Sequence, residues 1–449
     1  MVYNTYIKCQ VCGSVTRVRL QVGKLKQHPI VVTCCRCRTS LCGKVVIGQT
    51  EPSLSFEFDN ADIVEHSSVT TSNYVVECSG EFPVTKICND DLSNWNPISP
   101  FMKYIVQTYK DNGINEFISV VESLNHTSDK WICYKRIFDL YQNKSEFLVQ
   151  EIKNEFHGTF FSCENEAGIL RAVHNIEVIA FYSTLRKDIL KDLNFSDDIL
   201  RLNPVQMKSL ISFLNSHDGY HIEQIQSAIY NILDSFVKVY PALIPSICLQ
   251  YIGEDTFDYE NNGSTTSTFD TVKQFYLDAY ETLGNLIIIP IALNNIKYRG
   301  NFNISAIIDN KIYTLDEYVR LPKAKRFHFC LDSEIYTNYL GVNVNSKIRN
   351  AIGHNDVDYD TISQLITYIP DPKDRANSKT EYLLEFENEA VHMLQGILAI
   401  SEYLYRLREL KMMHDGNISM IMGMSKKINV YDLCPCGSGK KFKFCHGKK

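Results

Sequence analysis

Residues 222–236 of this 449-residue chain read IEQIQSAIYNILDSF. The apolar side chains in this stretch recur at intervals of three and four positions, which places them along one face of an α-helix. They are Ile222, Ile225, Ile229, Ile232, Leu233 and Phe236. Because such a stripe is buried when helices pack against each other, the stretch predicts a helical bundle and a mainly α fold.

Further helical patterns lie on both sides of this stretch. The dipeptide Asn203-Pro204 is a typical helix start, with an asparagine N-cap and a proline in the first turn. Downstream we expect one long helix from about Thr271 to Ile289, ended by Pro290, and another from about Phe386 to Lys411. The polar run at 261–267, which separates them from the first bundle, predicts a linker or an exposed loop.

The amino-terminal region has a different pattern. Apolar and polar residues alternate over Leu54–Phe58 and again over residues 73–77, which is the period of a half-buried β-strand. Residues 1–49 also predict short strands. Together these segments indicate a small β region in front of the helical part.

Composition limits the class of protein. The hydrophobic fraction of 45% and the charged fraction of 22% are typical of a soluble globular chain. No stretch approaches the roughly 20 apolar residues of a membrane helix, and residues 1–8 lack the apolar core of a signal peptide. We therefore expect a cytoplasmic protein without a membrane partner.

Two cysteine clusters, one near each end of the chain, predict bound metal, because clustered thiols in a reducing compartment favour metal over disulfides. The first consists of two Cys-x-x-Cys pairs separated by about 20 residues, the spacing of a zinc ribbon. Its predicted ligands are Cys9, Cys12, Cys34 and Cys37. Cys35 and Cys42 could each replace one of them. The sequence leaves open whether the ribbon binds nucleic acid or only stabilises the fold.

The second cluster lies in residues 434–446, which read CPCGSGKKFKFCH. Three thiolates and an imidazole complete a tetrahedral zinc shell with no position left for water, so this Zn²⁺ should be structural. The ligands are Cys434, Cys436, Cys445 and His446. The run resembles the SEC-C motif, and this resemblance implies a docking module whose partner is a protein, an RNA or a ribosome.

Charge is unevenly distributed along the chain. Residues 1–50 contain eight Lys or Arg and no acid, and residues 425–449 contain seven Lys and one Asp, although the net charge is −6. Basic ends attract nucleic-acid phosphates through a salt-dependent interaction. The alternative is that these charges only confer solubility.

Residues 346–356, SKIRNAIGHND, contain the candidate catalytic pair Arg349 and His354. The predicted helix begins at Asn345 or Ser346 and ends at Gly353 as a left-handed cap. An arginine that binds phosphate and a histidine that transfers protons are what RNA cleavage by a 2′-OH requires. Arg408 and His414 have a similar spacing but lack the capping glycine and a long helix on both sides.

That motif carries a second resemblance. Residues 266 to 412 resemble a HEPN domain, whose signature is an arginine, a polar residue and then a histidine. The resemblance implies a helical bundle that acts as a dimeric, metal-independent endoribonuclease. Arg349 would bind phosphate, His354 would act as general base or acid, and Asn350 would orient the substrate or His354. Residues 357–360 and 365–368 predict a β-hairpin inserted before the final helix.

These observations predict a multidomain protein that captures RNA with its basic, zinc-binding ends and cleaves it with a HEPN dimer. The RNA could be a transfer RNA, a messenger RNA or a ribosome-associated RNA, and the setting phage defence or growth arrest. The alternatives are a non-catalytic zinc-dependent adaptor that dimerises through the HEPN bundle, and a sensor that binds RNA without cutting it. The predicted domains are a zinc ribbon (1–49), a β-rich region (50–94), a helical domain (95–262), a HEPN-like domain (266–424) and the SEC-C motif (425–449).

Overall fold

A computed structural model describes residues 1–47, 54–65, 72, 74–86, 98–108, 112–193, 196–340, 344–414 and 441. The chain forms two compact units, each assembled from three segments. The first unit consists of Met1–Asp129, Ser235–Asp278 and Asn345–His392. The second consists of Lys130–Asp234, Ala279–Val344 and Met393–Lys449.

Helices account for most of the described chain, which confirms the mainly α prediction. The helices are α1 (Pro100–Gln107), α2 (Gly113–Gln142), α3 (Leu148–Glu155), α4 (Glu166–Phe181), α5 (Lys187–Leu193), α6 (Pro204–Ser216), α7 (Ile222–Ile252), α8 (Phe269–Leu286), α9 (Ile288–Arg299), α10 (Leu315–Val319), α11 (Lys323–Arg326), α12 (Ser346–Gly353) and α13 (Leu383–His414). The strands are β1 (Val2–Cys9), β2 (Val15–Gln21), β3 (Gln27–Ile30), β4 (Gly43–Ile47), β5 (Leu54–Phe58), β6 (Ala61–Val64), β7 (Tyr74–Ser79), β8 (Val84–Thr85), β9 (Asn262–Gly263), β10 (Ile307–Ile308), β11 (Lys311–Ile312), β12 (Val357–Asp360), β13 (Leu365–Tyr368) and β14 (Lys379–Tyr382).

The first unit holds the larger sheets. One sheet has the strand order β6-β1-β2-β7, in which only the β2–β7 pair is parallel, and a second antiparallel sheet has the order β3-β4-β5. Their shared core includes fully buried Ile7, Val18, Leu20 and Val45. The strands predicted from alternation, β5 and β7, are both present. A third antiparallel sheet, β12-β13-β14, includes the predicted hairpin.

Helix α7 confirms the stripe that predicted it, because all six apolar residues named above are 0–2% exposed. Asn203 caps α6 by accepting hydrogen bonds from the backbone N–H groups of Val205 and Gln206, also as predicted. Among the described helices, α7 alone is long and apolar enough to cross a membrane, with 67% of its most apolar window buried inside the protein. Core helices of folded proteins meet the same criterion.

The predicted linker at 261–267 is wrong. Ser264, Thr265, Thr266 and Ser267 are all at least 95% buried in the first unit. Their polar groups are paired: the Thr266 hydroxyl donates to the Ala242 carbonyl at 2.6 Å, and the Thr265 carbonyl accepts from Val31. A polar segment can therefore cross a core when distant backbone groups satisfy its hydrogen bonds.

The predicted stop at Pro290 is also wrong. Helix α8 ends at Leu286 and α9 begins at Ile288, so Pro290 lies in the first turn of a new helix. Backbone N–H groups in the first turn have no partner within the helix, so the N–H that proline lacks is not missed there. The proline therefore marks a helix start. The chain passes from the first unit into the second within α8 and returns to the first before α12.

Candidate functional site

The first unit contains two metal-binding turns with the same backbone. In the turn that begins at Cys9, the Gly13 N–H donates to the Cys9 carbonyl at 2.9 Å, and Gly13 has a φ of +71°. In the turn that begins at Cys34, the Arg38 N–H donates to the Cys34 carbonyl at 2.8 Å, and Arg38 has a φ of +63°. In both turns the fifth residue is left-handed, which folds the chain back so that both sulfurs face one point.

The two turns bring the four predicted ligands together. Each sulfur of Cys9, Cys12, Cys34 and Cys37 lies within 4.8 Å of the others. The Sγ atoms of Cys9 and Cys37 are 3.6 Å apart, and those of Cys12 and Cys34 are 3.5 Å apart. A tetrahedral Zn²⁺ with Zn–S bonds of about 2.3 Å separates its ligands by about 3.8 Å, so the cluster fits zinc. Cys35 and Cys42 lie outside this cluster.

The chemistry of the four thiols also fits a cation. Burial raises the pKa of the Cys34 thiol to about 12, which disfavours a thiolate there without a positive charge nearby. Hydrogen bonds from Ser14 instead lower the pKa of Cys12 to about 6, and the contact with the Thr39 hydroxyl lowers the pKa of Cys37. A bound Zn²⁺ would supply the charge that the buried sulfur lacks. A closed set of four sulfurs leaves no position for a catalytic water.

The candidate catalytic residues lie on α12, in the same unit. The helix begins where the sequence predicted, because the Asn345 side chain accepts hydrogen bonds from the N–H groups of Lys347 and Ile348. Arg349 is half-buried, whereas Asn350 and His354 are exposed. The Arg349 guanidinium donates to the Asn350 side-chain oxygen at 3.3 Å. The His354 ring has no hydrogen-bond partner within the described ranges.

The end of α12 differs from the prediction in one respect. The helix ends at Gly353, but Gly353 is not left-handed; Asn355 is, with a φ of +57°. The Asn355 N–H bonds to the Ile352 carbonyl and the Asp356 N–H to the Ala351 carbonyl, which is a Schellman motif. Asparagine tolerates the left-handed region better than other non-glycine residues, so it can replace the predicted glycine there.

Gly353 has a different role. A Cβ built there would lie only 3.9 Å from Nη1 of Arg349, so the guanidinium extends along the helix over this glycine. The Arg349 guanidinium therefore lies beside the residue that precedes His354 in the chain. A cationic group and a free imidazole thus share the exposed end of α12. Together they could bind a phosphate and transfer a proton next to it.

A buried network under α12 was not predicted from the sequence. The Asn345 amide donates to the Tyr368 hydroxyl at 3.0 Å and to the Glu381 carboxylate at 3.1 Å, and the Tyr276 hydroxyl donates to Glu389 at 2.8 Å. Burial raises the pKa of Glu381 to about 8 and that of Glu389 well above its usual value. The strand that carries Glu381, β14, was not predicted either. The contacts join residues far apart in sequence.

The predicted carboxy-terminal ligands Cys434, Cys436, Cys445 and His446 lie outside the described residues. Their sequence is nevertheless matched by a family model: residues 432–448 match the SEC-C motif. No curated protein and no solved structure matches the chain. The zinc-binding character of both ends thus rests on the four-cysteine cluster at one end and on this motif at the other.

Proposed function

We propose that this protein is a metal-independent endoribonuclease of the HEPN type, with Arg349, Asn350 and His354 as its active site. The observation that carries the proposal is that the Arg349 guanidinium lies over Gly353, the residue before His354 in the chain, while the exposed His354 ring has no hydrogen-bond partner among the described residues. Both groups are accessible to a polymer, because they lie at the exposed end of a short helix. The HEPN resemblance of residues 266 to 412 gives this pair its proposed reaction.

In that reaction the 2′-oxygen of a ribose attacks the adjacent phosphorus. The O2′–P bond forms, the P–O5′ bond breaks, and the products are a 2′,3′-cyclic phosphate and a free 5′-hydroxyl. Arg349 stabilises the charge that builds on the phosphoryl oxygens. An imidazole accepts the 2′-OH proton, and an imidazolium donates a proton to the leaving O5′. Asn350, bound to the Arg349 guanidinium, holds it toward the phosphate.

One histidine cannot be the base and the acid of the same step. We therefore propose a homodimer in which the α12 ends of two copies meet at a two-fold axis, so that His354 of each copy takes one role. The acid-free, basic segment 1–50 and the lysine-rich tail would capture the RNA electrostatically. An enzyme of this kind fits phage defence or growth arrest, with transfer, messenger or ribosome-associated RNA as the substrate.

A second candidate function is a non-catalytic adaptor or an RNA-binding sensor. The four-cysteine cluster and the SEC-C match favour it, because each offers four ligands for a closed, structural zinc shell rather than an open catalytic one. In this case Arg349 and His354 would bind RNA without cutting it. The two candidates make opposite predictions for the fate of the bound RNA.

The test is cleavage of total RNA and of isolated transfer RNA without added metal, in short incubations with EDTA, with zinc content checked afterwards. His354→Ala and Arg349→Ala should each reduce cleavage by about 100-fold or more. His126→Ala, on α2, and Arg201→Ala, three residues before α6, change exposed residues outside the candidate site and should leave the rate unchanged. The new ends should be 2′,3′-cyclic phosphates.

Equal cleavage by wild type and His354→Ala would overturn the proposed site. No cleavage by dimeric, zinc-loaded wild type, together with RNA retention that Arg349→Ala weakens, would establish the sensor instead. Retention that none of the variants changes would support the adaptor.

A further inference from the structure

The second unit contains a cavity of about 890 Å³ that the proposed nuclease site does not use. It is lined by the last turn of α2, the first turns of α3, α4 and α7, and the last turns of α13. Its volume lies within the range of about 300–1,000 Å³ that is usual for small-molecule sites.

The walls carry cations that lack acidic partners. Lys144, Arg408 and Lys411 line the cavity, and none of them forms an ion pair with any described carboxylate. The Arg408 guanidinium donates a hydrogen bond to the Tyr141 hydroxyl at 2.7 Å, which fixes the side chain on the wall. Two carboxylates, Glu166 and Glu223, lie on the same walls, so the cavity has a net charge of +1, which favours a ligand that carries an anionic group for the cations and hydrogen-bond donors for the carboxylates.

Helix ends of both kinds line the cavity, and three of them are amino-terminal ends. Leu148 is the first residue of α3, Glu166 is the first of α4, and Ile222–Gln224 form the first turn of the 31-residue α7. The amino-terminal end of a helix carries a partial positive charge and unpaired N–H groups, so it attracts phosphate. The last turns of α2 and α13, which carry the opposite partial charge, line the cavity as well, so the amino-terminal ends attract phosphate locally rather than across the whole cavity.

One buried amide on the wall is left without a partner. Gln226 is only 7% exposed, lines the cavity, and its side chain makes no hydrogen bond within the part of the chain that the structure describes. Its amide is therefore free to donate and accept hydrogen bonds with a ligand in the cavity. Glu166 and Glu223 also face the cavity and would accept hydrogen bonds from amino or hydroxyl groups.

We propose that this cavity binds a ribonucleoside phosphate. The phosphates would lie against Arg408, Lys411 and Lys144, and the base or ribose would satisfy Gln226 and the two carboxylates. A simple inorganic anion would leave the amide and the carboxylates unused, whereas a neutral ligand would leave the three cations unpaired. The proposal is independent of the nuclease, because none of its residues lies on α12.

The test is isothermal titration of full-length protein with ATP, GTP, CTP and UTP, each alone, and with inorganic phosphate. At least one nucleotide should bind at one site per chain, at least tenfold more tightly than phosphate. Arg408→Gln and Gln226→Leu should each weaken that binding by about tenfold or more. Lys208→Gln, which changes an exposed lysine of α6, should have no effect.

Gln226→Leu also separates binding from folding. Replacing an unpartnered amide by an apolar group of similar size should leave the thermal midpoint unchanged or raise it, so weaker binding by this variant cannot be a folding defect. His354→Ala should bind the nucleotide as tightly as wild type, whatever its nuclease activity. Binding by none of the four nucleotides, tighter binding of phosphate, or affinities that neither Arg408→Gln nor Gln226→Leu changes would each overturn the proposal.

Discussion

The Arg38 guanidinium donates a hydrogen bond to the Asp360 carboxylate, with 2.9 Å between Nη1 and Oδ2. Arg38 directly follows the last cysteine of the metal cluster, and Asp360 ends β12, the first strand after α12. The two residues are 322 positions apart in the chain. This ion pair therefore fastens a metal-binding turn to the hairpin beside the candidate catalytic helix, within one unit.

Because of this contact, the free energy of unfolding should fall as the pH drops below about 4. Hydrogen bonds from the Ser363 and Ile362 backbone, together with Arg38, lower the pKa of Asp360 to about 2. A carboxyl whose pKa is lower in the folded than in the unfolded state stabilises the protein at pH values above its unfolded pKa of about 3.9. This stabilisation is lost as pH falls toward the folded pKa of about 2. Asp360→Asn should therefore destabilise the protein at pH 6, and this difference should shrink steadily between about pH 4 and pH 2. Urea unfolding at several pH values measures it; a constant difference would contradict the prediction.

Arg38 combines an ion pair with an unfavourable backbone. Its φ of +63° lies in the left-handed region, which glycine occupies without steric cost and other residues do not. Arg38→Gly and Arg38→Ala both lose the contact with Asp360, so that loss cancels when the two are compared. The glycine variant should be more stable by about 1 kcal/mol. Thermal unfolding of the zinc-loaded variants tests this, and an alanine variant of equal or greater stability would refute it.

The helical part of the fold was predictable because its signals are local. Apolar residues spaced by three and four positions predicted the buried face of α7, and Asn203 before Pro204 predicted the start of α6. The segment 261–267 was misinterpreted for the opposite reason. Its serines and threonines are satisfied by backbone groups such as the Ala242 carbonyl, and no local pattern records such partners.

In the candidate site, too, the local features were predictable from the sequence and the contacts between distant residues were not. Cys-x-x-Cys spacing predicted which four sulfurs converge, because each turn is a local structure. It could not predict that Arg38 would take the conformation that Gly13 takes in the other turn, since arginine has no local preference for it, nor that Arg38 would contact Asp360, 322 positions away. The same is true of Asn345. Its role as the cap of α12 is local, but its contact with Glu381 depends on the fold of β14.

A mutation in either cysteine cluster should remove one zinc ion and leave the other in place. We expect wild-type protein to carry two Zn²⁺ per chain by atomic emission, and Cys34→Ser and Cys436→Ser to carry one each. Cys42→Ser is the matched control, because Cys42 is only five positions after Cys37 in the chain but is not one of the four clustered cysteines, and it should retain both. Since zinc binding is linked to folding, Cys34→Ser should also lose protection of β1 and β2 from hydrogen exchange. A full zinc complement in Cys34→Ser would exclude the assigned ligand set.

Asn345 should contribute more to the free energy of unfolding than an ordinary helix cap does. Asn345→Ala removes the α12 cap, which costs about 0.5–2 kcal/mol, and also removes the donor to buried Glu381, which costs about 1–3 kcal/mol more. Asn203→Ala, at the α6 cap, removes two similar cap bonds and no contact with a carboxylate. Unfolding in urea should therefore show a clearly larger loss for Asn345→Ala. Equal losses would mean that the network under α12 contributes nothing.

The buried carboxyl of Glu381 predicts a loss of stability as pH rises from about 4 to about 8. Its pKa is raised to about 8, first by burial and then by the charge of Glu385, and its Oε1 has no hydrogen-bond partner within the described residues. A carboxyl whose folded pKa exceeds its unfolded value of about 4.3 stays protonated in the folded state, so the folded state binds the extra proton. Stability should then fall as pH rises from about 4 to about 8 and level off above that.

Glu381→Gln removes this titration but keeps an oxygen that can accept from Asn345. The variant should gain stability over wild type progressively across the same window, by at least about 1 kcal/mol at pH 8. In Glu385→Gln the like charge is gone, so the decline should end at a lower pH. Urea unfolding from pH 5 to pH 9 distinguishes these outcomes. If wild type and Glu381→Gln differed by the same amount at every pH, Glu381 would be ionised in the folded protein throughout, and the hydrogen bond from Asn345 would support a charged rather than a neutral acid.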